Sequence, residues 1–490
     1  MSNATFQPES DRVGSIEMNG INPIDQEHRH GRPFELFWVW FASNVGILGV
    51  IYGAGYLTGN GLNLWQGLVV GLLATVVSFL FVGLLSIPGV WGGAPMLTLS
   101  RAVFGTRGNF GPTLLSWISL VGWETILVIA STGALLELLQ IFGIAANPFW
   151  TVVSILLLSA LVVACGYWGH ATLVWIQRAA TWVFGLLSIV IIAFIVPQTN
   201  WGKLLSPPAG PWDTSVVTAF VIIMAGTGIG WINSGADYSR YLPRHSSGRA
   251  ITFWTVFGAT LPLYILMIVG VLLASFKPNV LTASDPLAPI REALPAWLAV
   301  PYLLTAVGGL LAGAALDIYS SGLNLLALNI RVKRQYAVLI DGVLMVIGSI
   351  YVLLIRNDFQ GALTSFLLLL AAGLTVWAAI FLVDMIWRRR YDARSLTNLG
   401  RSSAYYYTGG FNIPACTAWV IGIIVGLLFT QSSFFTGPLA KGIFANTSTG
   451  YLLGAAVSII IFLILRPLFY KQTGTIATVP EKNETSAISS

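Results

Sequence analysis

A break inside an apolar helix near the start of the chain has the sequence Phe41-Ala42-Ser43-Asn44-Val45-Gly46-Ile47-Leu48-Gly49. A second apolar run, far downstream, contains Gly226-Thr227-Gly228-Ile229-Gly230-Trp231-Ile232-Asn233. Irregular backbone at membrane depth is tolerated only where it is buried in protein or lines a watery cavity. Two such breaks in corresponding positions therefore predict a binding site near the middle of a membrane protein. Because the chain contains 51 glycines, close helix packing through small residues is the alternative explanation of either break alone.

The composition around these breaks is that of an integral membrane protein. Hydrophobic residues make up 56% of the 490 residues and charged residues 9%, against roughly 25% charged residues in a soluble protein. Stretches long enough to cross a hydrocarbon core of about 30 Å recur along the chain. We predict an all-α membrane domain of about twelve helices with these spans: 34–58, 62–86, 112–142, 148–168, 171–196, 214–234, 250–275, 297–329, 336–355, 358–386, 414–433 and 448–471.

The two breaks also indicate an internal repeat. They fall in the first and the sixth span, so they correspond if spans one to five and six to ten are two repeats. An odd number of spans per repeat inverts the second repeat relative to the first, as in alternating-access transporters. We predict the following division: a tail over 1–33, a transporter domain over 34–471 with repeats of about 34–196 and 214–386 and peripheral helices within 414–471, and a tail over 472–490.

Basic residues predict the orientation in the bilayer. If the N-terminus is cytoplasmic, all but five of the 25 Lys and Arg residues fall in cytoplasmic segments. The exceptions are Lys203, Lys277, Arg291, Arg356 and Lys441. Since cytoplasmic loops carry an excess of Lys and Arg, both termini are expected on the cytoplasmic side of a plasma membrane or a bacterial inner membrane. The same loops account for the net charge of +6, so no nucleic-acid partner is expected.

Ionisable side chains inside a span need a reason, because one costs at least about 2.5 kcal/mol at the membrane centre. Glu124 and Asp317 lie near the middles of spans three and eight. Trp123 precedes Glu124, and an indole beside a carboxylate can clamp a flat, nitrogen-rich ring by stacking and by accepting N–H protons. Adjacent helical residues point about 100° apart, so both reach one site only if it lies between them. Core packing is the alternative for Trp123, and Asp317 either accepts hydrogen bonds from a broken helix or exchanges a proton.

Other charged residues lie near or beyond the ends of spans. Four of them are interpreted as side chains that reach water and have no function: Glu137, Asp341, Asp384 and Arg178. Asp237 and Arg240 follow span six and stand three residues apart, so they can pair at the cytoplasmic mouth if the helix continues. Such an exposed pair is either a gate or ordinary loop charge.

The sequence contains no signal for a cofactor, a metal site or ATP binding. The histidines all fall in segments expected to be cytoplasmic, so no metal cluster in the membrane is expected: His28, His30, His170 and His245. No segment has the phosphate-loop pattern G-x-x-x-x-G-K-[ST]. An intramembrane enzyme is not expected, because a histidine-containing constellation and paired catalytic carboxylates near one helix are both missing.

Several short motifs occur in an order that resembles one transporter family. They are Trp40-Phe41-Ala42-Ser43-Asn44, Ser100-Arg101-Ala102-Val103-Phe104-Gly105, Gly122-Trp123, Gly235-Ala236-Asp237-Tyr238-Ser239-Arg240-Tyr241, Tyr319-Ser320-Ser321-Gly322-Leu323 and Tyr407-Thr408-Gly409-Gly410-Phe411-Asn412. From about residue 30 to 470 the chain is similar to the nucleobase-cation symporter family, specifically its purine-cytosine permease branch. The resemblance implies twelve helices of the sodium-coupled leucine-transporter fold, with a five-plus-five inverted repeat and two peripheral helices. It places the sites among the breaks of helices one and six and the facing surfaces of helices three and eight.

The resemblance also implies roles for individual residues. Those expected to touch the substrate are Trp123, Glu124, Asn44, Gly46, Thr227 and Gly228. Trp123 matches the base-stacking tryptophan of the family. Leu120 stands where some relatives have a glutamine, which leaves that polar role to Glu124.

The resemblance favours a proton over sodium as the driving ion. Sodium-coupled relatives carry Ser or Thr hydroxyls in helix eight opposite carbonyls of helix one, which correspond here to Asn44 and Ile47. The matching stretch has no hydroxyl and reads Leu311-Ala312-Gly313-Ala314-Ala315. The two carboxylates near the middles of spans three and eight, Glu124 and Asp317, are available as proton carriers instead. A shift in register that brings Ser320 and Ser321 into a sodium site is the alternative.

The sequence thus predicts a secondary active transporter that imports cytosine or purines such as adenine, hypoxanthine or guanine by proton symport. One alternative is a sodium-coupled symporter of a related heterocycle, such as allantoin, a hydantoin or a vitamin ring. Another is a passive channel, which does not accumulate its substrate.

Overall fold

A computed structural model describes residues 12–58, 61–281, 287–356, 359–432, 435–445 and 447–473. Within these ranges the chain is mostly helical, and β pairing is limited to two isolated bridges. In the described part of the chain, ten helices are long and apolar enough to cross a membrane, and the bent pair Glu35–Asn44 and Ile47–Gly55 makes an eleventh span. The shorter apolar helix Ile413–Leu428 lies at the predicted position of span eleven. The prediction of an all-α membrane protein is therefore confirmed.

The helices, numbered by span, follow the predicted order. The first six are Glu35–Asn44 with Ile47–Ile51, Leu64–Gly92, Phe110–Ile141, Pro148–Trp168, His170–Ile195, and Val217–Gly226 with Gly228–Trp231. The last six are Gly248–Ala274, Ala296–Ala327, Arg334–Ile350, Phe359–Trp387, Ile413–Leu428 and Gly450–Thr473. Helix two runs past its predicted end to Gly92, because its backbone turns away only at Gly93, in the left-handed region at φ 65°.

The membrane helices form two groups. Helices one, two, six and seven pack mainly against one another, and we call them the broken-helix bundle. Helices three, four, eight and nine do the same, and we call them the scaffold, whose largest contact joins helices three and eight. Helix five contacts both helix one and helix eight. Helices eleven and twelve pair through glycines, since a Cβ atom at Gly422 or Gly454 would meet backbone of the facing helix.

Both predicted helix breaks are present. In helix one, Val45 (φ −88°, ψ 65°) and Gly46 (φ −138°, ψ 168°) leave the helical conformation, and the two halves meet at 59°. In helix six, Thr227 alone leaves it, at φ −120° and ψ −116°. Helix eight passes the first break at Gly309, where a Cβ atom would collide with the Val45 carbonyl. The broken-helix bundle and the scaffold therefore meet backbone to backbone at the first break.

The chain ahead of helix one also packs onto the domain. Residues 13–29, which we call the strap, lie against one face, which we call the N-terminal face. The Ile24 N–H donates to the Gly93 carbonyl at 2.8 Å, and Arg29 Nη1 donates to the Val90 carbonyl at 2.6 Å. The strap is thus bound to the end of helix two and is part of the folded structure.

Candidate functional site

A small cavity lies between the two helix breaks, where the broken-helix bundle meets the scaffold. The residues that line it include Ser43, Asn44, Gly46, Tyr52, Trp123, Gly226, Trp231 and Gly309. Its volume is about 40 Å³. That volume holds a few water molecules, whereas a small-molecule pocket usually measures about 300 Å³ or more. The walls therefore have to separate before a ring can enter, and the structure shows the site closed.

Two tryptophans line this cavity, one from each helix group. Trp123 comes from helix three of the scaffold and is 8% exposed. Helix six approaches it at a glycine, because a Cβ atom at Gly230 would lie 2.9 Å from Trp123 Nε1. Trp231 comes from helix six, and Trp40 packs edge-on against it with ring centroids 5.6 Å apart. The sequence indicated Trp123, because it stands beside Glu124 in the middle of a predicted span. It did not indicate Trp231, because no ionisable residue beside it distinguishes it from the other tryptophans among the 18.

The break in helix six is held by side chains of helices one and two. The Ile229 N–H donates to Ser78 Oγ at 2.9 Å, and the Ser78 hydroxyl donates to the Met224 carbonyl at 3.0 Å. The Tyr52 hydroxyl donates to the Gly226 carbonyl at 2.9 Å. Backbone groups that the break leaves without helical partners are thus bound by the protein itself. Neither Ser78 nor Tyr52 carried a signal in the sequence.

Thr227 and Gly228 face helix two. Thr227 Oγ1 donates to the Ile223 carbonyl at 2.7 Å, and Ser78 Oγ lies 3.2 Å away. A Cβ atom at Gly228 would collide with Ser78. The lining of the cavity contains neither residue but contains their neighbour Gly226. Thr227 and Gly228 therefore do not line the closed cavity, and their contact with substrate stays a prediction.

The break in helix one separates two of the predicted residues. Asn44 lines the cavity and donates through Nδ2 to the Trp40 carbonyl at 2.9 Å. Ile47 instead lines a second cavity of about 40 Å³, together with Gly46, Ser188 and Thr305. Gly46 lines both cavities. Asn44 lines only the first, and Ile47 lines only the second.

Helix eight presents small residues to this break, as its sequence predicts. The nearest protein atoms to a Cβ atom at Gly313 include the Ser43 carbonyl oxygen at 3.5 Å. The Ala312 carbonyl accepts a hydrogen bond from Gln177 Nε2 at 2.7 Å. The residues that line the second cavity include three with hydroxyl groups, which are Ser188 of helix five and Tyr302 and Thr305 of helix eight.

Two carboxylates are buried in the scaffold without an opposite charge. Glu124 is 0% and Asp317 is 1% exposed. Among the described residues neither accepts a hydrogen bond of ordinary geometry, although Ser321, which donates to Asp341, is also close enough to Glu124 to interact with it. Glu124 lies within electrostatic range of Asp317 and Asp341. It does not line the cavity that Trp123 lines. Because adjacent residues of a helix point about 100° apart, the helix that presents Trp123 to the cavity places Glu124 elsewhere. The geometry therefore does not support direct contact between Glu124 and a ring on Trp123.

Asp341 of helix nine belongs to the same buried cluster. It is 0% exposed, its Oδ1 accepts from Trp117 Nε1 at 2.8 Å, and its Oδ2 accepts from Ser321 Oγ at 2.9 Å. Its interpretation as a side chain that reaches water is wrong, because helix nine packs this surface against helices three and eight. Within the described ranges, no three His, Cys, Asp or Glu side chains are grouped so that they could hold a metal ion.

The other charges near span ends differ among themselves. Asp384 is 1% exposed and accepts from Arg388 Nε at 2.6 Å, so its interpretation as a side chain that reaches water is also wrong. Glu137 pairs with Arg291 Nη1 at 2.7 Å and is partly exposed. Arg178 is exposed, as expected.

Comparisons with known proteins agree with this arrangement. Residues 23–454 match the family described as the permease for cytosine/purines, uracil, thiamine and allantoin. The chain belongs to this permease family. YxlA of Bacillus subtilis, whose name refers to the purine-cytosine permeases, is 25% identical over 94% of this chain and 98% of its own length. The purine-cytosine permease FCY2 of Saccharomyces cerevisiae is 23% identical over 94% of this chain and 87% of its own length.

Solved structures show the same fold. One of them is Mhp1, a nucleobase-cation-symport-1 family transporter, in a closed conformation with bromovinylhydantoin bound. The permease superposes on it with a TM-score of 0.75 and 18% identity, over 92% of this chain and 96% of Mhp1. With the inward-facing conformation of Mhp1 the TM-score is 0.67, at 18% identity over 93% of this chain and 95% of that one. The predicted resemblance and the predicted transporter fold are thereby confirmed.

The predicted pair of Asp237 and Arg240 is not formed in the permease. Arg240 makes an ion pair with Glu17 of the strap, whereas Asp237 Oδ1 accepts from the Met96 N–H at 2.7 Å. Both Asp237 and Arg240 are 0% exposed, so the prediction of an exposed pair is wrong. Burial raises the pKa of Asp237 to about 7. Spacing along one helix could not indicate Glu17, because it lies 223 residues from Arg240 in the sequence.

Proposed function

We propose that this permease imports cytosine or a purine such as adenine, hypoxanthine or guanine by proton symport. The observation that carries the proposal is the closed cavity between the two helix breaks, lined by Trp123 of the scaffold and Trp231 of the broken-helix bundle. Two indoles can bind a flat aromatic ring by stacking, and the polar groups of Asn44 and of the breaks can bind its ring edge. The names of YxlA and FCY2 refer to the same class of substrate.

The site alternates between the two faces in this proposal. The cavity lies where the broken-helix bundle meets the scaffold, so relative motion of the two groups opens it to one face or the other. Helices one to five and six to ten form the two inverted repeats, at about 34–196 and 214–386. The excess of Lys and Arg in the loops of the N-terminal face supports a cytoplasmic location for that face and for both termini. The surrounding membrane is a plasma membrane or a bacterial inner membrane.

The coupling proton is carried by Glu124 and Asp317. A buried carboxylate without a donor or a positive partner is stable only when it carries a proton. Asp341 differs because two donors already bind it, so it acts as a fixed negative neighbour of Glu124. Because Asp317 lies seven residues beyond Leu310 of the cavity lining, it is about 10 Å closer to the N-terminal face.

A sodium-coupled symporter of a related ring, such as a hydantoin, is the second candidate. The observation that favours it is the second cavity, whose lining includes Ser188 and Thr305 together with Gly46 and Ile47 of the helix-one break. Hydroxyl and carbonyl oxygens are hard ligands of the kind that alkali and alkaline-earth cations prefer. This arrangement supplies a place for sodium although the matching stretch of helix eight has no hydroxyl.

Uptake by purified permease in liposomes tests the proposal. An inward proton gradient without sodium is expected to accumulate radiolabelled cytosine or purine above the external concentration. Accumulation that requires sodium and persists with a protonophore would support the second candidate. Failure of cytosine, adenine, hypoxanthine and guanine both to accumulate and to compete would exclude the proposed substrate class.

Two variants separate the proposed roles. Trp123→Ala removes a stacking surface that contributes about 1–3 kcal/mol to binding, so affinity for the base should fall by about five- to 150-fold. The control is Trp201→Ala, which changes an exposed tryptophan and should leave the affinity unchanged. Asp317→Asn should abolish proton-driven accumulation but keep exchange of labelled for unlabelled base. Unchanged affinity in Trp123→Ala would remove the stacking role, and unchanged accumulation in Asp317→Asn would remove the proton role.

A further inference from the structure

Glu17 of the strap is at the centre of a buried polar network on the N-terminal face. It is 5% exposed and makes an ion pair with Arg240. Its Oε1 also accepts from the Tyr241 hydroxyl at 2.6 Å and from the Tyr319 hydroxyl at 3.2 Å. Its Oε2 accepts from the His170 N–H at 3.0 Å. One carboxylate thus binds groups from three separate parts of the chain.

The backbone of the strap is also hydrogen-bonded to several separate parts of the chain. The Glu17 N–H donates to the Trp168 carbonyl at 2.9 Å, and Arg334 Nε donates to the Glu17 carbonyl at 3.2 Å. The Gly20 carbonyl accepts from Arg240 Nη1 at 2.6 Å. Both the side chain and the main chain of this short segment are therefore bound to the domain.

These partners belong to the two helix groups that have to move apart. Arg240 and Tyr241 lie in the segment that directly follows helix six, and helix six is part of the broken-helix bundle. Trp168 ends helix four, Tyr319 lies in helix eight and Arg334 begins helix nine, all of the scaffold. Glu17 thus connects the bundle to the scaffold on one face. Separation of the groups on that face has to break either its contacts to Arg240 and Tyr241 or those to the scaffold.

We infer that the strap is a latch that holds the N-terminal face closed, and that release of Glu17 from one of the two helix groups is a step in opening that face. The latch does not depend on which substrate the permease carries. It rests on the proposed function in one respect, which is that the site opens alternately to the two faces. Removing one partner of a buried ion pair leaves an uncompensated charge, which is costly. The closed state carries this interaction and an open state lacks it, so the pair shifts the population toward the closed state.

A cysteine placed next to the partners of Glu17 in helix eight measures the fraction of molecules whose N-terminal face is open. Ser320 of helix eight is 0% exposed, and its hydroxyl lies 2.9 Å from the Tyr238 hydroxyl of the helix-six segment. Ser320→Cys, in a background with Cys165→Ser and Cys416→Ser, becomes reachable only when these segments separate. The rate of reaction with a polar maleimide, measured on purified full-length protein in detergent, is then proportional to the open population.

The decisive comparison is Glu17→Gln against Glu27→Gln. Both variants remove one negative charge from the strap, but Glu27 is exposed. We expect Glu17→Gln to raise the labelling rate about tenfold or more, and Glu27→Gln to leave it unchanged. Equal rates in the two variants would overturn the latch. The assay needs no substrate, so its outcome is independent of whether the permease carries a nucleobase.

Two further variants separate a latch from a purely structural role. In a double-mutant cycle, Glu17→Gln should raise labelling less in an Arg240→Gln background than in the parent, because the ion pair is already lost there. Arg240→Gln has an effect of its own, since Arg240 also donates to the Gly20 carbonyl and to the Tyr319 hydroxyl. If Glu17→Gln does not yield a monodisperse protein, Glu17→Asp takes its place, since it keeps the charge but shortens the reach. Glu17→Asp should label several-fold faster than the parent. A variant that melts earlier but labels at the parental rate would show that the strap stabilises the fold without acting as a latch.

Discussion

On the N-terminal face, arginine side chains are buried and bound to backbone carbonyls. Arg101, for example, donates to the Leu396 carbonyl at 2.7 Å and to the Ala327 carbonyl at 2.8 Å. On the opposite face the structure has a wide cavity of about 570 Å³, lined mostly by loop residues that include four prolines and Lys203. The polar contact beside it joins Gln66 to Gly210, with two hydrogen bonds of 2.8 Å between neutral groups.

The two faces differ in how deeply their charged groups are buried. Glu17 and Arg240 are buried on the N-terminal face, whereas the Glu137–Arg291 pair of the opposite face is partly exposed, with side chains 13% and 29% exposed. Charge-assisted hydrogen bonds in a buried site are about twice as strong as those between neutral groups. Breaking the network around Glu17 therefore costs more than breaking the contact of Gln66. Starting from this closed state, the permease should open its opposite face more readily than its N-terminal face. Three substitutions examine this contrast.

The largest effect is expected from Arg240→Gln. It leaves Glu17 buried without its positive partner, which should lower the free energy of unfolding by about 3–5 kcal/mol. Arg244→Gln, an exposed arginine four residues on, is the matched control and should change it by less than about 0.5 kcal/mol. Thermal unfolding of the two purified variants in detergent measures the difference. If both melt together, the N-terminal face is not held by this ion pair.

A smaller effect is expected from Gln66→Ala on the opposite face. It removes two neutral hydrogen bonds to Gly210 in a partly buried site, so the loss should be about 1–3 kcal/mol. Gln140→Ala changes an exposed glutamine at the end of helix three and is the control. Thermal unfolding again measures the loss. A loss as large as that of Arg240→Gln would remove the contrast between the faces.

The smallest effect is expected from Lys277→Ala. Its ammonium lies 3.1 Å from Glu292 Oε2, with the two side chains 30% and 48% exposed. An exposed ion pair contributes about 1 kcal/mol at most and is weakened by salt. The melting temperature should therefore shift little at low ionic strength and not at all at high ionic strength. A large, salt-independent shift would show that charge also closes the opposite face.

Composition and pattern predicted most of the fold. The run of apolar residues gave the helices, because a spanning helix must be apolar along its length. The glycine clusters around Gly46 and Gly228 gave both breaks, because backbone that leaves the helix needs small residues and a protected place. Trp123 could be placed at the cavity since a motif already fixed its surroundings.

Contacts between distant segments could not be predicted from spacing. Asp341 is close to a helix end, and only the packing of helix nine against helices three and eight shows that it is buried. Ser78 holds the break of helix six from another helix. Arg240 has an acidic residue three positions earlier, yet it binds Glu17. A local rule cannot choose between a near partner and a distant one.

The position of Glu17 also sets an order for biogenesis. Its backbone carbonyl binds Arg334, which lies 317 residues later in the chain. At about 5–20 residues per second, a ribosome needs roughly 15–60 seconds to make the intervening sequence. During that time the segment around Glu17 has no complete docking site, although it is translated before every membrane helix. Helices one to eight are therefore inserted before the N-terminal segment finds its final place, and its docking is a late event in the maturation of the protein.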